Sequence, residues 1–123
     1  MKKKILVVED DTLLLSALDN FLIHEDFLTR MVAKAQEVES EVEEFKPDLI
    51  LMDIFLDTAD GRIICDKLKS NPSTLYIPII LLTGLSYEEI ALFDCQADAI
   101  VGKPYDNRSL LHTINQCLVA GSA

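Results

Sequence analysis

Hydrophobic residues fall into two patterns that alternate along this chain. Short unbroken apolar runs, such as Ile5–Val8 and Leu49–Met52, are typical of strands buried on both faces, because a strand with one wet face alternates apolar and polar residues. Stretches with apolar residues three and four positions apart, such as Thr12–His24, indicate amphipathic helices. The two patterns follow one another five times, which predicts a (βα)5 chain.

Each predicted element has definite bounds. The strands are Lys4–Val8, Leu28–Ala33, Asp48–Asp53, Ile77–Leu82 and Ala99–Gly102. The helices are Thr12–His24, Ala35–Phe45, Arg62–Ser70, one that Ser86 caps and that runs to about Cys95, and a last one capped by Asp106 with Leu110, Leu111, Ile114 and Leu118 on its buried face. Residues 54–60 form a loop. Alternation of this kind predicts an α/β fold, with a doubly wound parallel sheet covered by helices on both faces.

In the segment Asp48–Asp53, four apolar residues run without a break between two acids. Pro47 disfavours the helical region for Lys46, which ends the preceding helix. Asp53 stands where the apolar run ends, and the carboxyl ends of parallel strands form the ligand crevice in sheets of this kind. On this segment alone, Asp53 is equally well explained as a functional carboxylate or as a turn former or helix cap.

Length and composition narrow the class of protein. The 123 residues suffice for one domain, which we expect at residues 1–119, followed by a disordered end or a cloning scar at 120–123. The net charge of −10 disfavours direct binding to nucleic acid. No apolar run approaches the roughly 20 residues that span a membrane. The apolar run behind Lys2–Lys4 is too short for a signal peptide, so we expect a cytoplasmic protein without membrane contact.

The three cysteines are widely separated. Cys65, Cys95 and Cys117 form no CxxC motif and have no histidine at metal-ligand spacing. We therefore expect small buried or half-buried hydrophobic side chains rather than a zinc site or a disulfide.

Four of the five predicted strands end in groups that do not belong in an apolar core. These are Glu9, Asp10 and Asp11 after the first strand, Asp53 after the third, Thr83 after the fourth and Lys103 after the fifth. The carboxyl ends of parallel strands share one edge, so these groups converge on one crevice. Clustered carboxylates need a neutralising cation, and Mg²⁺ prefers oxygen ligands. A carboxylate nucleophile beside Mg²⁺, an ammonium and a hydroxyl suits phosphoryl transfer to that carboxylate.

These residues stand in motifs that resemble the receiver domain of two-component response regulators over essentially the whole chain. The matching motifs are Ile5–Asp11, Pro47–Asp53, Asp60–Gly61, Pro78–Thr83, Ala97–Asp98 and Lys103–Asp106. The resemblance implies the flavodoxin-like topology of the chemotaxis regulators, with five parallel strands in the order 2-1-3-4-5. It also implies a signalling protein that catalyses, at most, its own phosphorylation and dephosphorylation.

The resemblance implies a specific acceptor and a specific cofactor. Asp53 would accept a phosphoryl group from a phosphohistidine on a sensor histidine kinase or a phosphotransfer protein. Mg²⁺ would be held by Glu9, Asp10 and Asp53, together with the backbone carbonyl of Phe55. Asp11 is better assigned to the first helix, where an acid favours the N-terminus.

A second set of roles concerns switching. The resemblance implies that Thr83 is the switch hydroxyl, that Lys103 contacts the phosphoryl oxygens and that the Lys103–Pro104 bond is cis. Phosphorylation would pull Thr83 inward and shift the surface of the fourth helix, the last strand and the last helix, which would contact a downstream protein that the sequence does not name.

The chain departs from the family pattern at four places. Ile100 occupies the position where an aromatic residue usually swings with the threonine, and the segment Thr83–Lys103 is about two residues shorter than usual. Asp57 and Thr58 replace a proline after the acceptor, and Gly84 replaces a common alanine.

Other functions remain open at this point. Ile100 and the short fourth helix favour a degenerate receiver that binds partners without phosphorylation. A phosphohydrolase with an aspartate nucleophile would need a second acid two residues later, where this chain has Phe55. A carrier of flavin mononucleotide would need a Gly/Ser/Thr-rich loop after the first strand, and none follows it.

Overall fold

Five parallel strands form the centre of the protein. The computed structural model describes residues 2–86, 89 and 95–122. The strands are β1 (Lys4–Val8), β2 (Leu28–Val32), β3 (Leu49–Asp53), β4 (Ile79–Thr83) and β5 (Ala99–Gly102). They are ordered β2-β1-β3-β4-β5, and every neighbouring pair is parallel. The predicted α/β fold and strand order are confirmed.

Helices follow the strands along the chain. Within the described residues they are α1 (Thr12–His24), α2 (Val38–Phe45), α3 (Gly61–Lys69) and α4 (Asn107–Ser122). The helix predicted from Ser86 to Cys95 lies mostly outside the described residues. Its predicted cap is present: the Glu89 amide donates to Ser86 Oγ at 3.2 Å, and the Ser86 amide donates to Glu89 Oε1 at 3.2 Å.

Several predicted bounds need correction. Ala35–Glu37 is a 3₁₀ turn before α2, and residues 54–60 contain a short antiparallel hairpin of Phe55–Leu56 with Ala59–Asp60. The fourth strand begins at Ile79 rather than two residues earlier, because a turn holds the preceding segment. Elsewhere in the described elements, the predicted bounds differ from the structure by no more than one residue. The disordered end expected at residues 120–123 stays a prediction.

The sheet is buried on both faces. On one face it packs against α2 and α3 through residues that include Val38, Val42, Ile64 and Leu68. On the other face α1 and α4 supply Leu18, Leu22, Leu110, Ile114 and Leu118. Every residue of β3 and β4 is buried, as the unbroken apolar runs predicted. The carboxyl ends of the central strands are therefore held by a closely packed core.

The entry to β3 is fixed by local chemistry. Lys46 ends α2 in the left-handed region, with φ 53° and ψ 62°, and its amide donates to Val42 O at 2.9 Å. Pro47 follows and disfavours a helical residue before it. The Asp48 side chain accepts a hydrogen bond from the Lys4 amide at 2.8 Å, and the Asp48 amide donates to Lys4 O at 2.8 Å. The starts of β1 and β3 are thereby locked in register.

Two further expectations concern membrane-spanning helices and the cysteine thiols. Over the described ranges, no helix combines the length and apolar character needed to cross a membrane. Cys65 is buried, Cys95 and Cys117 are half-buried, and all three are free thiols, as predicted. Burial raises the pKa of the Cys65 thiol to about 12.

Candidate functional site

Three acids gather at the carboxyl end of the sheet. Glu9 and Asp10 follow β1, and Asp53 is the last residue of β3, whose partner strand is β1. One carboxylate oxygen from each residue lies within 4.8 Å of the others. The parallel pairing of β1 and β3 brings the two strand ends side by side, as the strand-end pattern predicted.

Lys103 extends an ammonium group into this cluster. Its Nζ donates to Asp53 Oδ2 at 3.0 Å and lies 3.7 Å from Glu9 Oε2. The Lys103 amide donates to Thr83 O at 2.6 Å, which fixes the end of β5 against β4. The Lys103–Pro104 peptide is cis, as expected.

Thr83 is buried at the end of β4. Its hydroxyl oxygen accepts a hydrogen bond from the Leu85 amide at 2.9 Å. A hydroxyl that accepts one hydrogen bond still has its own proton to donate. Thr83 therefore brings a donor to the same edge of the sheet as the three acids.

Burial gives Glu9 an unusual protonation behaviour. Its side chain is 2% exposed, and its pKa is raised from the usual 4.5 to about 7, chiefly by this desolvation. The neighbouring Asp53 carboxylate contributes to this rise, whereas the charge of Lys103 opposes it. Negative charge on Glu9 beside Asp53 therefore costs free energy, and a bound cation would offset that cost.

The donor set fits a hard divalent cation. Glu9 Oε1 accepts a hydrogen bond from the Asp11 amide at 3.2 Å, but Glu9 Oε2 is buried and makes no hydrogen bond to any described residue. A buried oxygen without a hydrogen bond is uncommon and needs a physical cause. Three carboxylate oxygens close together are the ligands that Mg²⁺ prefers.

Phe55 stands beside Asp53 in the hairpin. Its amide lies 3.4 Å from Asp53 Oδ1, and its side chain is 56% exposed. A role for its carbonyl as a metal ligand stays a prediction.

Asp11 and Asp57 border the cluster in different ways. Asp11 caps α1, because its Oδ1 accepts hydrogen bonds from the amides of Leu13 and Leu14 at 3.0 and 3.2 Å. Its assignment to the helix is confirmed. Asp57 is exposed, and the adjacent Asp10 carboxyl raises its pKa.

Gly61 is a structural part of the site that the sequence analysis gave only as part of the Asp60–Gly61 motif. A Cβ atom at this position would overlap the Asp53 carbonyl oxygen and would come within 3.1 Å of Ile54 Cα. The Gly61 amide donates to Ile54 O at 2.7 Å. Glycine is needed because α3 begins directly against the backbone of Asp53. No local signal distinguishes this close approach from an ordinary turn glycine.

Tyr105 also lies near the acids. Burial raises the pKa of its phenol, and the negative charges of Glu9 and Asp53 raise it further. Its ring therefore stays uncharged beside the cluster at neutral pH. In the sequence it was only part of the motif that follows Lys103.

Comparison with known proteins places this geometry in a family. The sequence pattern of the response regulator receiver domain matches residues 5–115. The chain belongs to the response regulator receiver domain family. Its sequence is 32% identical over 120 residues to the phosphate regulon transcriptional regulatory protein PhoB of Rhizobium meliloti (strain 1021), covering 96% of this chain and 53% of that protein.

Solved structures share the fold of this receiver domain. A CheY-like receiver domain protein from Methanospirillum hungatei JF-1 superposes with a TM-score of 0.90, at 29% identity, covering 99% of this chain and 98% of that one. The receiver domain of a signal transduction histidine kinase from Syntrophus aciditrophicus gives a TM-score of 0.89, at 30% identity, covering 96% and 91%.

Family membership sets the general function. Receiver domains are signalling domains of two-component systems, which partner with histidine kinases or downstream effectors and are generally not enzymes. This receiver domain spans about half the length of the curated relatives that it matches.

Proposed function

We propose that this chain is a phosphorylation-dependent signalling switch. Asp53 accepts a phosphoryl group from a phosphohistidine on a sensor histidine kinase or a phosphotransfer protein. Glu9, Asp10, Asp53 and the carbonyl of Phe55 would hold Mg²⁺ beside the acceptor. The observation that carries the proposal is the buried Asp53 carboxylate, which lies 3.0 Å from the Lys103 ammonium and within a group of three acids.

The two oxygens of Asp53 have different surroundings, which suits in-line attack. Lys103 holds Oδ2 at 3.0 Å, whereas Oδ1 accepts a longer hydrogen bond from the Phe55 amide at 3.4 Å. In the transfer, one Asp53 oxygen forms a bond to phosphorus as the bond from phosphorus to the donor imidazole nitrogen breaks. The electron pair stays on that nitrogen. Mg²⁺ contributes neutralisation of the phosphoryl oxygens when it is bound.

Lys103 and Thr83 recognise the product. The Lys103 ammonium is already beside Asp53 and pairs with a phosphoryl oxygen there. The Thr83 hydroxyl donates a hydrogen bond to a second phosphoryl oxygen, which draws Thr83 toward Asp53. The adjoining segment moves with it, because the Leu85 amide is hydrogen-bonded to the same hydroxyl. Residue 100, on the edge strand β5, is an isoleucine that is 38% exposed. Because it is not aromatic, the switch depends on Thr83 and not on an aromatic side chain at that position.

Exposed apolar side chains beside the site support a protein as the phosphoryl donor. Leu13, in the first turn of α1, is 84% exposed, and Phe55 is 56% exposed. In the sequence, each lies within four residues of an acid of the cluster. Exposed aromatic and other apolar side chains are favoured in the buried centre of a protein interface. The net charge of −10 opposes direct contact with nucleic acid, so the output is contact with a downstream protein in the cytoplasm.

Mass measurement tests the proposal. The protein is incubated with Mg²⁺ and acetyl phosphate, and its intact mass is compared with that of Asp53→Asn and of the control Asp57→Asn. We expect one added phosphoryl group in the parent and in Asp57→Asn, and none in Asp53→Asn. If the parent gains none while it binds Mg²⁺, the proposal fails and the chain is a binding module that works without phosphorylation.

A further inference from the structure

A groove runs between α2 and α3, on the outer side of the helices that cover one face of the sheet. Two adjoining cavities of about 510 and 550 Å³ form it, and they share the side chains of Glu39, Ile63 and Lys67. The groove extends along α3 from Asp60 to Asn71. At the helical rise of 1.5 Å per residue, this is roughly 16 Å, or about three turns of a helix laid alongside.

The walls of this α2–α3 groove are acidic. Glu39 and Glu43 line it from α2, and Asp66 lines it from α3. Glu39 and Glu43 are four residues apart and therefore face the same side of the helix, where like charges destabilise α2. Among the described lining residues, Lys67 is the one basic side chain. The groove thus carries more negative charge than its one lysine neutralises.

The one ion pair across the groove is weak. Lys67 Nζ lies 3.4 Å from Glu39 Oε1, and the two side chains are 68% and 61% exposed. Exposed pairs of this kind contribute little to stability, because water screens them and holding two long side chains costs entropy. A cation from another molecule can therefore replace Lys67 at Glu39 with little loss.

An apolar anchor lies at the middle of the groove. Ile63 is 64% exposed and belongs to both cavities, and the buried side chain of Leu68 lies beside it in one of them. An apolar centre inside a charged rim is the usual anatomy of a protein interface. A partner that covers this exposed branched side chain on α3 removes apolar surface from water, which stabilises the complex.

We infer that the α2–α3 groove docks a basic amphipathic helix of a partner protein. An apolar side chain of the partner covers Ile63, and its lysines or arginines pair with Glu39, Glu43 and Asp66. A second copy of this chain is disfavoured, because a symmetric contact would place these acidic walls against each other. Nucleic acid is disfavoured by the same charge. The inference does not depend on phosphorylation of Asp53.

The test uses a designed peptide and the unphosphorylated protein. The probe is a three-turn helical peptide with leucines at helical spacing on one face and lysines on the other, and the control peptide has glutamate in place of lysine. Affinity is measured at about 0.1 M salt, where charges more than about 10 Å apart are screened. Amide chemical shifts map the contact on isotope-labelled protein. We expect the lysine peptide to bind, with shifts centred on Ile63, Asp66 and Lys67.

Matched variants separate the groove from general charge. Glu39→Lys with Glu43→Lys alters the groove, whereas Glu25→Lys with Glu44→Lys makes the same change in net charge elsewhere. We expect the dissociation constant to rise at least about tenfold in the groove variant and less than about twofold in the control.

A second pair of variants tests the apolar anchor. Ile63→Ser removes the anchor, whereas Ile23→Ser alters a residue of α1 that is 55% exposed. We expect weaker binding only for Ile63→Ser. Equal losses in both charge variants, shifts centred elsewhere, or no binding of the lysine peptide would each overturn the inference. A dimer of the parent protein that Ile63→Ser dissociates would assign the groove to a second copy instead.

Discussion

Glu9 couples the protonation of the site to the stability of the fold. Its pKa in the folded protein is about 7 and its usual value is 4.5, so the folded state holds the proton more tightly than the unfolded state. The stability that this group contributes is complete below pH 4.5 and is lost as pH rises through 7. A bound metal ion would favour the charged carboxylate, so protons and the proposed metal would compete for Glu9.

This coupling predicts a pH-dependent difference between the parent and Glu9→Gln. Without metal, the free energy of unfolding of the parent falls relative to the variant by on the order of 3 kcal/mol between pH 4.5 and pH 8, since the variant cannot lose that proton. Urea unfolding at several pH values measures the difference. Parallel pH profiles for the two proteins would contradict the raised pKa of Glu9.

Gly61 supports Asp53 through backbone contact. Gly61→Ala would push a methyl group against the Asp53 carbonyl oxygen, so we expect a loss of about 1–3 kcal/mol in unfolding free energy and slower phosphorylation of Asp53. The control is Gly102→Ala, because the nearest atom to a Cβ there is Thr83 O at 4.0 Å. Urea unfolding and the rate of phosphorylation by acetyl phosphate are measured on both. Equal effects at the two glycines would show that the close approach is unimportant.

Among the secondary-structure elements, the half-buried Lys69 joins α3 to the sheet. Lys69 Nζ donates to Ile77 O at 2.8 Å and to Leu75 O at 3.2 Å, and it pairs with Asp98 Oδ2 at 2.7 Å. Asp98 Oδ2 also accepts a hydrogen bond from the Ile79 amide at 2.8 Å. One ammonium thus fixes the end of α3, the loop before β4 and the entry to β5.

Removing this ammonium is expected to loosen the fold. Lys69→Met leaves Asp98 and two carbonyl groups without their cation, so we expect a loss of about 2 kcal/mol in unfolding free energy. Lys67→Met is the matched control on the same helix, where the exposed pair with Glu39 contributes at most about 0.5 kcal/mol. Urea unfolding compares the two variants. A similar loss in both would refute the structural role of Lys69.

Strong periodicity made most elements predictable, and weak or absent periodicity explains the exceptions. The strand of Leu49–Asp53 and the helix of Thr12–His24 have unbroken patterns, and both were predicted correctly. The hairpin within residues 54–60 was missed because two-residue strands carry no period. The later start of β4 follows from the Ile77 amide, which donates to Thr74 O at 3.0 Å in a turn that apolar content does not reveal.

The candidate site was predictable to the same degree. Glu9, Asp10, Asp53, Thr83 and Lys103 were candidates because each ends or follows a predicted strand, and parallel pairing brings strand ends together. The contact of α3 with the backbone at the end of β3, and the α2–α3 groove, depend on how helices pack on the sheet. The distances between elements that set those contacts are not encoded in any single segment.

For the protein as a whole, the negative charge of the site lowers the stability of the fold. Only the folded chain brings the carboxylates after β1 next to Asp53, and their mutual repulsion favours unfolding. Binding of a cation to the folded state alone reverses this effect by mass action. Stability and function are therefore linked through the charge of the cluster.

This linkage predicts opposite behaviour for the parent and Asp10→Asn. Without metal, Asp10→Asn should be the more stable protein, by about 1 kcal/mol, because one repulsive charge is gone. At a Mg²⁺ concentration ten times the dissociation constant, the parent should gain about 1.4 kcal/mol, whereas the variant gains far less, since it has lost a ligand. Thermal unfolding with and without Mg²⁺ at constant ionic strength measures both effects. Asn replaces Asp at nearly constant volume, so equal responses to Mg²⁺ would mean that Asp10 does not hold the ion and that the cluster binds it elsewhere or not at all.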